Sequence, residues 1–101
     1  VEGTSVLEES AFTHLVKAFF DAKEKGLTEY ILLEIFTSEW NYEYVAGTLG
    51  STIRQSDYLG FFKEGKLYAL LPNTNKENAG SVIERFHELG VECRIDEEAV
   101  L

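Results

Sequence analysis

Most of the chemistry legible in this chain sits in four residues, Arg54-Gln55-Ser56-Asp57. A guanidinium and a carboxylate three positions apart emerge together where an extended segment begins, and each offers hydrogen-bonding atoms in a fork. Forks of this kind recognise a nucleobase edge or a phosphate. Lys63 and Lys66 follow. Their compact positive charges suit secondary phosphate contacts, against the blander reading that lysine in a turn is simply solvated. The other reactive residue types are scattered. His14 and His87 stand alone on helical stretches, with no second His, Cys or acid at ligand spacing, and read as surface residues. Cys93 is the single cysteine and reads as a small core hydrophobe, because no His stands near it in sequence to activate the thiol. One cysteine excludes an internal disulfide and fits a reducing compartment.

A hairpin must position the forked pair. Residues 58–62 and 67–71 form two strand-like runs, and Lys63-Glu64-Gly65-Lys66 between them suits a tight turn. Upstream, Ser5-x-x-Glu8 has the form of a capping box. Behind it Ala11, Phe12, Leu15, Val16, Phe19 and Ala22 recur at helical spacing as far as Gly26. Residues 30–36 are apolar on both parities except at Glu34, as in a strand covered on both faces. Thr37-Ser38 then caps a second helix whose stripe is Tyr42, Val45, Ala46, Leu49 and Ile53; Trp40, Tyr42 and Tyr44 could form a stacking platform, but in the first turns of a helix they read as mixed burial against the sheet. Beyond the hairpin, residues 72–75 lead into a helix with Ala79, Val82, Ile83, Phe86 and Leu89 on one face and Arg85 outside. Gly90 ends it, and Val91, Cys93 and Ile95 alternate along a last strand. The order is a helix followed by β-α-β-β-α-β. Right-handed crossovers turn that string into a four-stranded antiparallel sheet with helices packed on it, an α+β ferredoxin-like core with an extra N-terminal helix.

At 101 residues the chain is one domain that buries roughly two-thirds of its unfolded surface. A 45% hydrophobic content with 13% aromatics is that of an ordinary globular protein. The formal charge of -9 argues against a nucleic-acid polymer or an anionic membrane surface as partner, since both need a broad basic face. A compact anion is still admissible, because charges separated by more than about 8 Å are screened in physiological salt. No apolar run is long enough to span a bilayer. The chain opens on Val1, and reads as a fragment of a longer protein.

Arg54-x-x-Asp57, the strand, the glycine-containing turn, the strand ending Leu70-Leu71-Pro72 and the loop into an Ala79-containing helix together resemble the GGDEF domains of diguanylate cyclases. Phe12, Leu15 and the strand after the first helix extend the similarity over nearly the whole chain. The departures are specific. Lys66 stands where that family places a metal-binding acid, the first strand carries only Glu34, and about a dozen residues are missing before Arg54. Phosphoryl transfer needs metal ions to neutralise developing charge. The resemblance therefore implies a catalytically inactive domain with no resident cofactor.

What survives resembles the inhibitory site at which such domains bind cyclic di-GMP. There Asp57 would accept from the N1-H and exocyclic amine of guanine, and Arg54 would fork onto guanine O6 and N7 or a phosphate. Among GGDEF-like domains, the pattern of losses is most similar to the C-terminal domain of the PelD family, cyclic di-GMP receptors of exopolysaccharide export. That resemblance implies a cytoplasmic domain tethered to the inner membrane through neighbouring GAF-like and membrane segments. The alternative is a degenerate scaffold that makes protein or interdomain contacts and binds no nucleotide.

Overall fold

The computed structural model describes residues 6–36, 44–45, 47–48 and 57–97. In chain order these form β1 (Val6–Leu7), α1 (Glu9–Glu24), β2 (Tyr30–Phe36), β3 (Tyr58–Phe62), β4 (Lys66–Pro72), α2 (Lys76–Glu88) and β5 (Glu92–Ile95). Tyr44, Val45, Gly47 and Thr48 also have helical backbone. Of the stripe expected in that region, Val45 is buried, and Tyr42, Ala46, Leu49 and Ile53 lie outside the described residues, as does Trp40.

The result is a mixed α+β domain around one five-stranded sheet in the order β1-β3-β4-β2-β5. Neighbours from β3 to β5 are antiparallel, and β1 pairs with β3 in parallel. The expected four-stranded antiparallel sheet is thus corrected to five strands with one parallel edge. The reason lies ahead of α1. Where the sequence suggests a capping box, Val6 and Leu7 instead extend beside Leu59 and Gly60, and Glu8 becomes an N-cap whose side chain accepts from the Ser10 hydroxyl at 3.4 Å and makes no capping bond to a backbone N–H. Two apolar residues gain more by joining a sheet edge than a cap returns.

Both faces of the sheet are covered, as the apolar run of β2 requires. One face seats Ile31, Leu33, Ile35, Leu59, Leu67, Ala69 and Leu71 against Val45 and against Ala79 and Phe86 of α2. The other seats Leu32, Phe62, Tyr68 and Leu70 against Phe12 and Val16 of α1. α1 approaches β3 so closely that a Cβ built on Gly60 would lie 2.2 Å from Phe12 Cδ1. Both helices stop the same way. Leu27 N–H donates to Ala22 O and Val91 N–H to Phe86 O, each at 2.9 Å, around Gly26 and Gly90 with φ of 74° and 85°. Leu89 is the C-cap of α2 and is 39% exposed, so it leaves the buried stripe to which the periodicity assigns it.

Candidate functional site

Asp57 is half-buried and immediately precedes β3; Arg54 lies outside the described residues. The antiparallel register fixes where this end of the sheet is. Tyr58 pairs with Leu70, which pairs with Leu32 of β2, so Asp57 sits beside the end of β4, at the end of the sheet where β2 starts one strand further on. A cleft of about 320 Å³ opens at the same end. The last turns of α1, the start of β2, the end of β5 and Lys76 line it, and Lys23, Tyr30 and Asp96 are among the contributors. Lys23 Nζ stands 5.4 Å from the Tyr30 ring centre, and Lys76 pairs with Glu97 at 2.9 Å. Burial, and secondarily the charge of Glu24, raises the Tyr30 phenol above its ordinary pKa.

Lys63 and Lys66 are not brought to Asp57. The five residues of β3 intervene, a backbone separation of roughly 20 Å along the strand. Lys63, Glu64 and Gly65 form a three-residue loop with φ of 51°, 65° and 77°, and Lys66 already belongs to β4, opposite Phe62. Gly65 suits this left-handed run; Lys63 and Glu64 hold it against the usual steric preference.

Both lysines enter a polar network on the α1 face of the sheet that the sequence did not announce. Tyr68, Glu34 and Arg94 form one row across β4, β2 and β5. Glu34 is only 4% exposed. Arg94 donates to its Oε1 from Nε at 3.3 Å and Nη2 at 3.1 Å, and Lys66 Nζ lies 3.4 Å from its Oε2. Both oxygens of the buried carboxylate are therefore neutralised, as burial demands. Next to it Asp96 accepts from the Tyr68 hydroxyl at 2.8 Å and from Lys63 Nζ at 3.0 Å. Burial chiefly, then the hydrogen bond to Asp96 and the charges of Asp96 and Glu34, push the Tyr68 phenol far above its ordinary value; Arg94 pulls the other way.

This network has three cations around two carboxylates, and the two carboxylates are committed to them. It is built to hold charge still and contains no free base. Arg94 and Lys66 are largely solvent-facing and keep donors for an anion from solution. Glu34 gave a sequence signal, as the one charge in an otherwise apolar strand. Asp96 gave none, lying in an acidic tail.

His14 and His87 are exposed, as the sequence suggests, but His87 is paired: its Nδ1 lies 2.6 Å from Glu92 Oε2. Cys93 is half-buried against the α2 side of the core, and burial, with the Glu92 charge, pushes its thiol up to about 11. Among the described residues, no three His, Cys, Asp or Glu side chains gather to hold a metal ion, and no helix is long and apolar enough to cross a membrane. No protein-family model, curated protein or solved structure matches this chain.

Proposed function

We propose that the chain is a non-catalytic, GGDEF-like receptor domain that binds cyclic di-GMP through Arg54 and Asp57, and that it serves the PelD-like role of regulating exopolysaccharide export from a larger membrane-tethered protein. The four strands β3-β4-β2-β5, all antiparallel, support a ferredoxin-like core to which β1 is an addition. The observation that carries the reading is the placement of Asp57, half-buried immediately ahead of β3, at the end of the sheet where the cleft on β2 and β5 also opens. A carboxylate there can accept from a guanine edge while its forked neighbour in sequence takes O6 and N7 or a phosphate.

At the opposite end, the positions where catalytic cyclases keep metal-binding acids hold Lys66 and Glu34, joined as an ion pair. A cation bound to the one available acid leaves no charge for magnesium to meet, which supports the non-catalytic half of the proposal. Lys66, held by Glu34, then falls outside the ligand footprint, whereas Lys63 reaches Asp96 on the cleft wall, and Lys23 and Lys76 are further cations there.

Isothermal calorimetry with cyclic di-GMP on wild type, Arg54→Ala and Asp57→Ala tests the reading. Each charged contact contributes about 1.5–3 kcal/mol, so either variant should bind roughly ten- to a hundredfold more weakly. Equal heats from all three proteins, or product formed from GTP and magnesium, would overturn the proposal. No heat from any of them would leave the scaffold reading in its place.

A further inference from the structure

β5 is the last strand of the sheet, with β2 on one side and, among the described residues, no strand on the other. Its alternation is fixed. Asp96 N–H donates to Leu32 O at 2.8 Å and Arg94 stands opposite Glu34. Glu92, Arg94 and Asp96 thus turn their backbone groups toward β2, and Cys93 and Ile95 turn theirs outward. An edge of this kind is a template for another strand.

We propose that this edge pairs with itself: two copies of the chain join β5 to β5, antiparallel, about a two-fold axis through Cys93. Outward residues must meet outward residues, which leaves three axes. An axis at Arg94 sets Arg94 directly against its own copy, a repulsive pair. An axis at Ile95 sets Arg94 against Asp96, but Asp96 is already bound by Tyr68 and Lys63 and is only 11% exposed at its side chain. An axis at Cys93 sets Glu92 of each copy opposite Arg94 of the other, twice. Those side chains are 63% and 68% exposed and free to meet. Glu92 holds His87 through Oε2, which leaves Oε1 for the partner.

Each Arg94 would then lie between its own Glu34 and Glu92 of the partner, extending the row Tyr68–Glu34–Arg94 across the interface. Phe36, 48% exposed and 5.8 Å from the Arg94 guanidinium, adds apolar surface beside the seam. A short strand with two ion pairs belongs at the weak end of protein interfaces, with dissociation in the range of about 0.1–1 mM. The charge of -9 on each copy opposes association unless it is screened.

The test is sedimentation velocity of the 101-residue chain across that concentration range at about 0.15 M salt. Wild type should show a concentration-dependent dimer. Glu92→Arg and Arg94→Glu should each weaken it at least about tenfold, because two attractive pairs become repulsive. An equimolar mixture of the two variants should recover a heterodimer, since both cross-strand pairs are then attractive again. Glu92→Arg touches neither Glu34 nor the core, so its far-UV circular dichroism should match wild type even if Arg94→Glu folds poorly. Diamide, which takes up the two electrons and two protons released by a pair of thiols, should link the dimer covalently, and with one cysteine per chain that link is Cys93 to Cys93. A monomer throughout, or a dimer indifferent to both charge reversals, or a mixture that associates no better than its parts, would each overturn the proposal.

Discussion

Gly60→Ala reports directly on how α1 is seated. The new Cβ would stand 2.2 Å from Phe12 Cδ1, 2.5 Å from Cγ and 2.8 Å from Cβ. Carbon atoms in contact sit about 3.5–4.0 Å apart, so the overlap exceeds an ångström at the ring. A change of rotamer cannot clear it, since Phe12 Cβ itself is too close. The ring is fully buried, with its centre 6.0 Å from that of Phe62 in an edge-on contact, so α1 as a whole must lift. Overpacking of this severity costs about 3 kcal/mol, and the stiffer unfolded chain returns no more than about 1 kcal/mol. A net loss of about 2–3 kcal/mol lowers Tm by roughly 10–20 °C in a domain of this size. Thermal and urea denaturation of Gly60→Ala, Phe12→Ala and the double variant complete the assay. Phe12→Ala alone should cost about 3–5 kcal/mol. In the Gly60→Ala background it should cost at least about 1 kcal/mol less, because removing the ring also removes the clash. Additive losses, or a Gly60→Ala protein as stable as wild type, would refute the close approach of α1 to β3.

Four further outcomes follow from the same geometry. Asn75→Ala removes the N-cap whose Oδ1 accepts from Asn78 N–H at 2.8 Å, and should lower stability by about 1 kcal/mol in urea titrations. Replacing both Arg94 and Lys66 with alanine strands Glu34 as an unpaired buried carboxylate, at a cost of about 3–5 kcal/mol, whereas either single change should cost clearly less. Stability should decline in alkali. The Cys93 thiol is raised from its ordinary value of 9.0 to about 11 and the Tyr68 phenol is raised too, so both stay protonated in the fold while the unfolded chain ionises. The Cys93 contribution is full below pH 9.0 and is lost as pH rises through about 11, with that of Tyr68 lost in stronger alkali; urea midpoints for wild type and Cys93→Ala should converge across the Cys93 window. Reaction of Cys93 with an aromatic disulfide reagent should accordingly be slow at pH 8 and should quicken on unfolding.

The apolar periodicities of α1, β2, the hairpin and α2 carried the fold because each element buries a continuous stripe, and Phe12, Leu33, Leu59, Ala79 and Phe86 lie where that spacing puts them. The polar network was not legible. Glu34 stands out in its strand, but its partners Lys66 and Arg94 are 32 and 60 residues away, and only the order of the strands brings them together. β1 escaped notice because two residues have no periodicity to read. The turn was recognisable from Gly65, yet the left-handed backbone of Lys63 and Glu64 was not, since neither residue type favours it. Asp57 fell where the sequence suggested, at the head of β3, and the five residues that separate it from the lysines became meaningful only once the hairpin had a direction.

Glu34 has a second life when the chain is not folded. Tyr-Ile-Leu-Leu-Glu-Ile-Phe is the kind of stretch that stacks between molecules into fibrils, and this acid is the one feature in it that resists such stacking. In the native sheet its charge is quenched by Arg94 and Lys66; on a nascent or heat-opened chain the same charge is bare and repels its counterparts on other molecules. Replacing it with leucine would satisfy the folded interior and leave the newly made polypeptide prone to precipitate before it could fold.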